Sequence, residues 1–177
     1  MSTLPPEGPA FDPLSILATL EAHGVAYVLI GAFAATIHGS PLVTAVADIT
    51  PARDETNLRR LAEALRAMGA RVWAAGEPQG LPFDCDAEAL ARADVWNLVT
   101  DHGRLDITFV PAGTRGYDDL AVDAAQFDIA GVAVPVAALA DVIRSKEAAG
   151  REKDRAALPT LRRLLEEHRR RDTRGDR

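Results

Sequence analysis

Two acidic residues in strand-like segments could hold a divalent cation. Asp48 lies in the segment VTAVADIT (residues 43–50), and Asp106 lies in the middle of RLDITFV (104–110). Since side chains alternate along a strand, Asp106 points away from its two apolar neighbours, towards either solvent or a cleft. Hard cations such as Mg2+ take oxygen ligands and bridge to phosphate oxygens, so a few carboxylates are enough to form a metal–nucleotide site. The pattern indicates such a site, although the geometry is not unique to it.

A glycine precedes the first of these segments, at a turn where a ligand could approach the backbone. Gly31 ends the apolar run VAYVLIG (25–31) and is followed by the helical segment AFAATIHG (32–39). Glycine permits close approach to the backbone, and the amide groups at a helix N-terminus attract phosphate. Strand-to-helix turns also take glycine for conformational reasons alone. Gly31 therefore supports a phosphate site only in combination with the two carboxylates.

Helical and strand-like periodicities alternate along the chain. The predicted helices cover residues 14–24, 32–39, 54–69, 117–124, 136–150 and 153–170, and the predicted strands cover 25–31, 43–50, 70–75, 94–100 and 104–110, with a hairpin at 127–136. This order predicts an α/β (α+β) fold, with a mixed β-sheet flanked by helices and with C-terminal helices. We expect a flexible N-terminal segment at 1–12, a single domain at 13–168 and a basic C-terminal tail at 169–177.

Composition limits the class of protein. Hydrophobic residues make up 47% of the 177 residues and charged residues 26%, which excludes wholesale disorder. Because the formal net charge is -6, an RNA partner would have to meet a local basic patch, for which the candidates are Arg53, Arg59, Arg60, Arg144 and Arg151. The lone Cys85 provides no disulfide framework, and the sequence shows no signal-peptide pattern and no apolar run of about 18 residues. We expect a cytoplasmic protein with no membrane partner.

Three separated segments resemble one known family. They are YVLIGAFAATIHGSPLVTAVADITPARDETNLRRLAEALRAMGARV, GRLDITFVPAGTRGYDDLAVDA and VPVAALADVIRSKEAAGREKDRAALPTLRRLLE. In this order they are similar to the nucleotidyltransferase-fold family with a DNA polymerase β-like core, in particular to its AbiEii and MenT-like branch, which is associated with toxin–antitoxin systems. The resemblance implies transfer of a nucleotide from a nucleoside triphosphate (NTP) to RNA (tRNA) or protein. It also implies Mg2+ or Mn2+ as cofactor and a cognate antitoxin as partner.

The family's functional positions carry over onto particular residues of this chain. The resemblance makes Asp48 and Asp106 metal ligands and, with Lys146, catalytic residues. It assigns nucleotide binding to Gly31, Ala32, Ser40, Thr44, Lys146, Lys153 and Asp154. The chain departs from the pattern at Leu42, where an arginine is common, and at Val46, where the first carboxylate of an Asp-x-Asp pair is expected. Both side chains of such a pair lie on one face of the strand, where the resembling enzymes use them to hold two metal ions.

The valine leaves several interpretations open. Loss of one positioned electrostatic group commonly costs on the order of 10²–10³ in rate, which leaves a weakly active enzyme. A neighbour could instead supply the missing carboxylate, the candidates being Asp54, Asp84 and Asp101. The fold could also serve as a catalytically degenerate module that binds a nucleotide or a protein. A different metal-dependent phosphoryl transferase that uses Asp84 or Asp86 is a third alternative.

Several candidate residues also have ordinary structural interpretations. Lys146 could be a solvated helix charge, and Asp154 could cap the last helix instead of positioning Lys146. Trp73 and Trp96 fall in strand patterns and are expected in the core. The segment from 76 to 93 gives the weakest periodicity, and we expect a loop there that could cover the cleft.

Overall fold

The computed structural model describes residues 8–175, so residues 1–7 of the predicted N-terminal segment and residues 176–177 of the predicted tail lie outside the described part. Seven helices alternate with eight strands within it. The helices are α1 (Pro13–Ala22), α2 (Gly31–Ile37), α3 (Glu55–Ala67), α4 (Ala87–Ala91), α5 (Tyr117–Val122), α6 (Leu139–Ala149) and α7 (Glu152–Gly175). The strands are β1 (Tyr27–Ile30), β2 (Val46–Pro51), β3 (Arg71–Ala74), β4 (Glu77–Leu81), β5 (Val95–Thr100), β6 (Gly103–Thr108), β7 (Ala125–Ile129) and β8 (Val132–Val136).

All eight strands form one mixed sheet in the order β4-β3-β5-β6-β2-β1-β8-β7. The pairs β2–β6 and β1–β8 are parallel, and the other neighbours are antiparallel. The predicted fold class, a mixed sheet flanked by helices with C-terminal helices, is confirmed. The parallel pairing of β2 with β6 matters most for function, because it brings segments about sixty positions apart into direct register.

Helix α3 shows how local sequence anchors the layers. The Asp54 carboxylate accepts a hydrogen bond from the backbone N–H of Asn57 and thereby caps the helix. Leucines 58, 61 and 65 recur at helical spacing and are buried against the sheet. The buried Asn57 side chain then donates to the carbonyl oxygens of Ala26 and Ala52, at 2.9 and 2.7 Å. The helix is therefore fixed to one end of the β1–β2 pair, where β1 begins and β2 ends.

Two expectations about the edge of the sheet are wrong. The segment 76–93 is not a loop over the cleft, because it contains strand β4, which pairs with β3, and helix α4, and none of its residues lines the cavity. Trp73 is not a core residue, because its side chain is 43% exposed and the Arg104 guanidinium lies over its ring. Trp96, by contrast, is partly buried and stacks on Phe83. Among residues 8–175 no helix is both long and apolar enough to cross a membrane.

Candidate functional site

The two candidate carboxylates are direct neighbours across the parallel strands. Asp48 on β2 is in register with Asp106 on β6, and two residues earlier Val46 is in register with Arg104. Burial and the adjacent Asp106 carboxylate raise the pKa of Asp48 to about 6. Burial also raises the pKa of Asp106, and the Arg104 guanidinium opposes that rise. Two partly buried negative charges side by side are electrostatically unfavourable, and a bound cation would relieve that strain.

Gly31 makes room for the Asp48 side chain. Its φ of +71° lies in the left-handed region that favours glycine. A Cβ at this position would lie 2.6 Å from Oδ2 of Asp48 and 3.1 Å from its Cβ. Gly31, the first residue of the seven-residue helix α2, thus permits the close approach of the Asp48 carboxylate.

The carboxylate pair faces a cavity of about 650 Å³. Lysines 146 and 153 and Arg151 line the same cavity, and the positive charges of all three lower the pKa of Asp48. The wall nearer the solvent is apolar and includes the exposed side chain of Val43 and the half-exposed side chain of Val95. The site thus combines carboxylates, which can hold a divalent ion, with cations, which can neutralise phosphate oxygens.

A buried carboxylate fixes two of these cations. Asp154 is 0% exposed and accepts hydrogen bonds from Lys146 Nζ at 3.3 Å and from Arg151 Nε at 2.6 Å. Burial raises its pKa, but the hydrogen bonds from Arg151 and Lys146 outweigh that effect and leave the pKa below its usual value. The left-handed Gly150 ends α6 and turns the chain directly into α7, which places these groups together. Asp154 itself does not line the cavity, so it acts through the two cations.

The other predicted binding residues lie in or beside the cavity wall. Ala32 and Thr44 line it. The Thr44 hydroxyl donates to the carbonyl oxygen of Val46 at 3.2 Å, which shapes the start of β2. Ser40 is 6% exposed and its hydroxyl accepts a hydrogen bond from the backbone N–H of Leu42, so it braces the loop before β2 and does not line the cavity.

The proposed substitutes for the missing carboxylate lie elsewhere. Asp54 caps α3, and Asp101 lies beside Gly69 and pairs with Arg71 at 3.4 Å. Asp84 is exposed and Asp86 caps α4, and neither residue lines the cavity. Within residues 8–175, no cluster of three or more histidine, cysteine or acidic residues is arranged to hold a metal ion. The structure therefore brings none of these four residues to the cavity.

Sequence reasoning missed several groups in and around the site. Asn97 lines the cavity and is in register with Asp106 across β5 and β6. Asp141 on α6 also lines the cavity and pairs with Arg144 at 2.9 Å, while its Oδ2 atom is buried without a hydrogen-bond partner. Strand alternation could have placed Asn97 on the face of Asp106. The sequence suggests only an RNA-binding patch for Arg151, and the structure shows that it alone of those five arginines lines the cavity.

These residues fit one divalent cation. Asp48 and Asp106 supply adjacent carboxylate oxygens, and the space that a Cβ at position 31 would fill is kept open beside Asp48. Mg2+ is commonly bound through one or two carboxylates together with waters and substrate phosphates, which matches this set of donors. Val46 faces the same cavity with an apolar side chain and offers no ligand for a second ion.

Comparison with solved structures identifies the fold. The lincosamide antibiotic adenylyltransferase LnuA, in its lincomycin-bound crystal structure, matches with a TM-score of 0.57 at 14% identity, over 88% of this chain and 99% of that chain. TM1012 from Thermotoga maritima, which has a provisional nucleotidyltransferase assignment, matches with a TM-score of 0.54 at 16% identity, over 90% of this chain and 97% of that chain. No protein-family model matches the sequence, and no curated protein matches it significantly. The chain has the nucleotidyltransferase fold.

Proposed function

We propose that this protein transfers a nucleotide from an NTP to an acceptor, with Mg2+ or Mn2+ held by Asp48 and Asp106. The observation that carries the proposal is the in-register carboxylate pair facing Lys146, Arg151 and Lys153 across one cavity. A metal–triphosphate complex carries a positive metal ion and negative phosphates. The two carboxylates complement the ion, and the three cationic side chains complement the phosphates. A bound divalent cation would neutralise charge on the attacking and leaving oxygens.

In this reaction the protein mainly positions the reactants and neutralises charge. An acceptor oxygen or nitrogen attacks the α-phosphorus, the bond from that phosphorus to the oxygen bridging towards the β-phosphorus breaks, and pyrophosphate leaves with the bonding electrons. The acceptor proton passes to solvent or to a nearby base. Asp48 and Asp106 orient the metal–nucleotide complex, and Lys146, Arg151 and Lys153 neutralise the triphosphate charge. Asp154 keeps two of those cations aimed at the cavity.

The identity of the acceptor is less constrained by the site than the identity of the nucleotide donor. RNA, particularly tRNA, and protein are supported by the resemblance to the AbiEii and MenT-like branch, which also supports a toxin with a cognate antitoxin in the cytoplasm. The net charge of -6 and the apolar solvent-facing wall favour a local acceptor contact over an extended RNA footprint. Lincomycin belongs in the assay as a small-molecule acceptor because LnuA is a lincosamide adenylyltransferase.

One observation favours a second function. Val46 removes a carboxylate from the cavity, so the chain could bind a nucleotide or a protein partner without turnover. The two functions differ in a direct assay, in which purified protein is incubated with each α-labelled NTP, Mg2+ or Mn2+, and total RNA or lincomycin. Label that moves to RNA, lincomycin or the protein itself, and that is lost in Asp48→Ala, supports the transferase.

The control variant is Val46→Asp. Silence in the native protein with activity in Val46→Asp would overturn the transferase proposal and support the binding module. Silence in both, with the labelled NTP still retained on filters, would also support binding. Absence of retention would overturn both the transferase and nucleotide binding, and would leave only the binding of a protein partner.

A further inference from the structure

The missing carboxylate is matched by an arginine at the neighbouring position. Val46 on β2 is the direct register partner of Arg104 on β6, so the two side chains leave the sheet at the same level. Arg104 reaches along its own strand and donates to Oδ1 of Asp106 at 3.2 Å. The Arg104 guanidinium therefore binds one of the two carboxylates that face the cavity. It does so beside position 46, where a ligand for a second cation would be needed.

The arginine is held in this place from several directions. Its guanidinium carbon lies 4.7 Å from the centroid of the Trp73 ring, a cation–π contact. The side chain is only 29% exposed, and that of Asp106 is 22% exposed, so water screens the pair weakly. The Arg104 Nε atom is buried and has no hydrogen-bond partner. Because an arginine side chain stays protonated in proteins, this positive charge is permanent.

Counting charges indicates how many cations the site can take. Asp48 and Asp106 together carry two negative charges, which one divalent ion neutralises, and the same cavity already holds the positive charges of Lys146, Arg151 and Lys153. The Arg104 guanidinium adds one fixed positive charge within hydrogen-bond distance of Asp106. A second divalent ion would bring two more positive charges beside that guanidinium, with an apolar valine where its ligand would be needed.

We propose that Arg104 takes the place of a second metal ion, so that the site binds a single divalent cation through Asp48 and Asp106. Arg104 is a positioning residue: it orients the Asp106 carboxylate and supplies fixed charge that a second ion would otherwise supply. The proposal rests on the proposed nucleotidyl transfer for its purpose. Its central claim, the number of ions bound, is independent of any turnover.

The test counts Mn2+ ions per chain by equilibrium dialysis with electron paramagnetic resonance, and measures affinity by isothermal titration. The native protein is expected to bind one Mn2+ ion. Arg104→Gln frees the Asp106 oxygen and removes a repelling charge, so it should still bind one ion but about tenfold more tightly. Arg104→Lys, which keeps the charge, should remain within about threefold of the native affinity. Thermal unfolding of each variant confirms that it is folded.

A matched control is available on strand β3. Arg71 has the same 29% side-chain exposure as Arg104 and pairs with Asp101 at 3.4 Å, away from the cavity. Arg71→Gln therefore removes a guanidinium of equal exposure, paired with a carboxylate that is more exposed at 60%, without touching Asp106. We expect the native ion count and affinity in this variant. Equal effects of Arg71→Gln and Arg104→Gln would overturn the proposal.

The double variant gives the sharpest outcome. Val46→Asp alone should still bind one ion strongly, because Arg104 continues to occupy the Asp106 oxygen and to repel a second cation. Val46→Asp combined with Arg104→Gln should bind two. Two ions in the native protein, no ion in the native protein, or two ions in Val46→Asp alone would each overturn the inference. One ion bound to a native protein that transfers no nucleotide would overturn the proposed function and leave the single-cation site in place.

Discussion

Gly31→Ala tests whether the backbone at the end of β1 is shaped by the Asp48 carboxylate. The φ of +71° imposes a left-handed conformation that costs an alanine about 1–2 kcal/mol. The new Cβ would also lie 2.6 Å from Oδ2, 3.0 Å from Cγ and 3.1 Å from Cβ of Asp48. Rotation of the carboxylate cannot relieve all three contacts. Such overpacking adds about 1–3 kcal/mol.

Gly24→Ala separates the two contributions. Gly24 has a similar φ of +63°, but a Cβ there would meet only the flexible end of Arg60, at 4.0 Å. Only the conformational cost of about 1–2 kcal/mol applies, and each kcal/mol lowers Tm by roughly 2–4 °C in a domain of this size. We therefore expect Gly31→Ala to lower Tm by at least about 2 °C more than Gly24→Ala does in calorimetry.

The same pair of variants tests the carboxylate's role in metal binding. Displacing Asp48 should weaken Mn2+ binding by on the order of tenfold in Gly31→Ala, equivalent to about 1.4 kcal/mol, while Gly24→Ala should leave the affinity unchanged. Equal losses of Tm in the two variants, together with native Mn2+ affinity in Gly31→Ala, would refute the reasoning. Gly31 would then be required only for the conformation of the turn.

Three further substitutions test the charges around the cavity. Asp154→Asn leaves Lys146 and Arg151 without their buried partner and should lower the free energy of unfolding in urea at neutral pH by about 3 kcal/mol. Although burial raises the pKa of Asp154, its hydrogen bonds hold that pKa below the usual 3.8, so this stabilisation should be complete above pH 3.8 and should fade as the pH falls further. Lys146→Met removes one of the cavity's cations and should weaken binding of α,β-methylene-ATP by about tenfold in isothermal titration. Asp48→Asn removes a charge that burial and Asp106 disfavour, so in metal-free buffer it should stabilise the fold by about 1–3 kcal/mol and abolish Mn2+ binding.

Each of these variants has a control. Glu147→Gln breaks the exposed pair with Arg162 and should cost no more than about 1 kcal/mol, so an equal loss in Asp154→Asn would argue against a buried network. Lys146→Arg keeps the charge and should retain most of the nucleotide affinity. For Asp48→Asn, a loss of stability in metal-free buffer would contradict the electrostatic cost assigned to the carboxylate pair.

The sequence predicts the elements whose pattern is set locally. The amphipathic repeat and the capping Asp54 define α3 within two residues of its observed bounds. Alternation along 104–110 correctly separates Asp106 from the apolar face of β6. The sequence does not predict strand β4, because EPQGL has little intrinsic preference for a strand. The strand forms by pairing with β3 at the sheet edge, where Pro78 is tolerated.

The site could be predicted only in part. The sequence identifies Asp48 and Asp106 as candidates because acidic side chains are common metal ligands. Their direct register depends on a parallel pairing between segments distant in sequence. The clamp of Asp154 on Lys146 and Arg151 depends on the tight turn at Gly150, which periodicity does not specify in three dimensions. Arg104 appeared in the sequence only as a polar neighbour of Asp106, and its importance follows from the register with Val46.

Val46 has a different meaning once that register is known. Taken alone, the valine removes a ligand and suggests a degenerate site. Next to Arg104, it is the position at which a second carboxylate would compete with Asp106 for the same guanidinium. An aspartate there would add a third carboxylate beside the Asp48–Asp106 pair and raise the electrostatic cost of the ligand-free protein. The valine and the arginine are thus mutually consistent parts of a site for one cation, and restoring the aspartate without removing the arginine should not restore a two-ion centre.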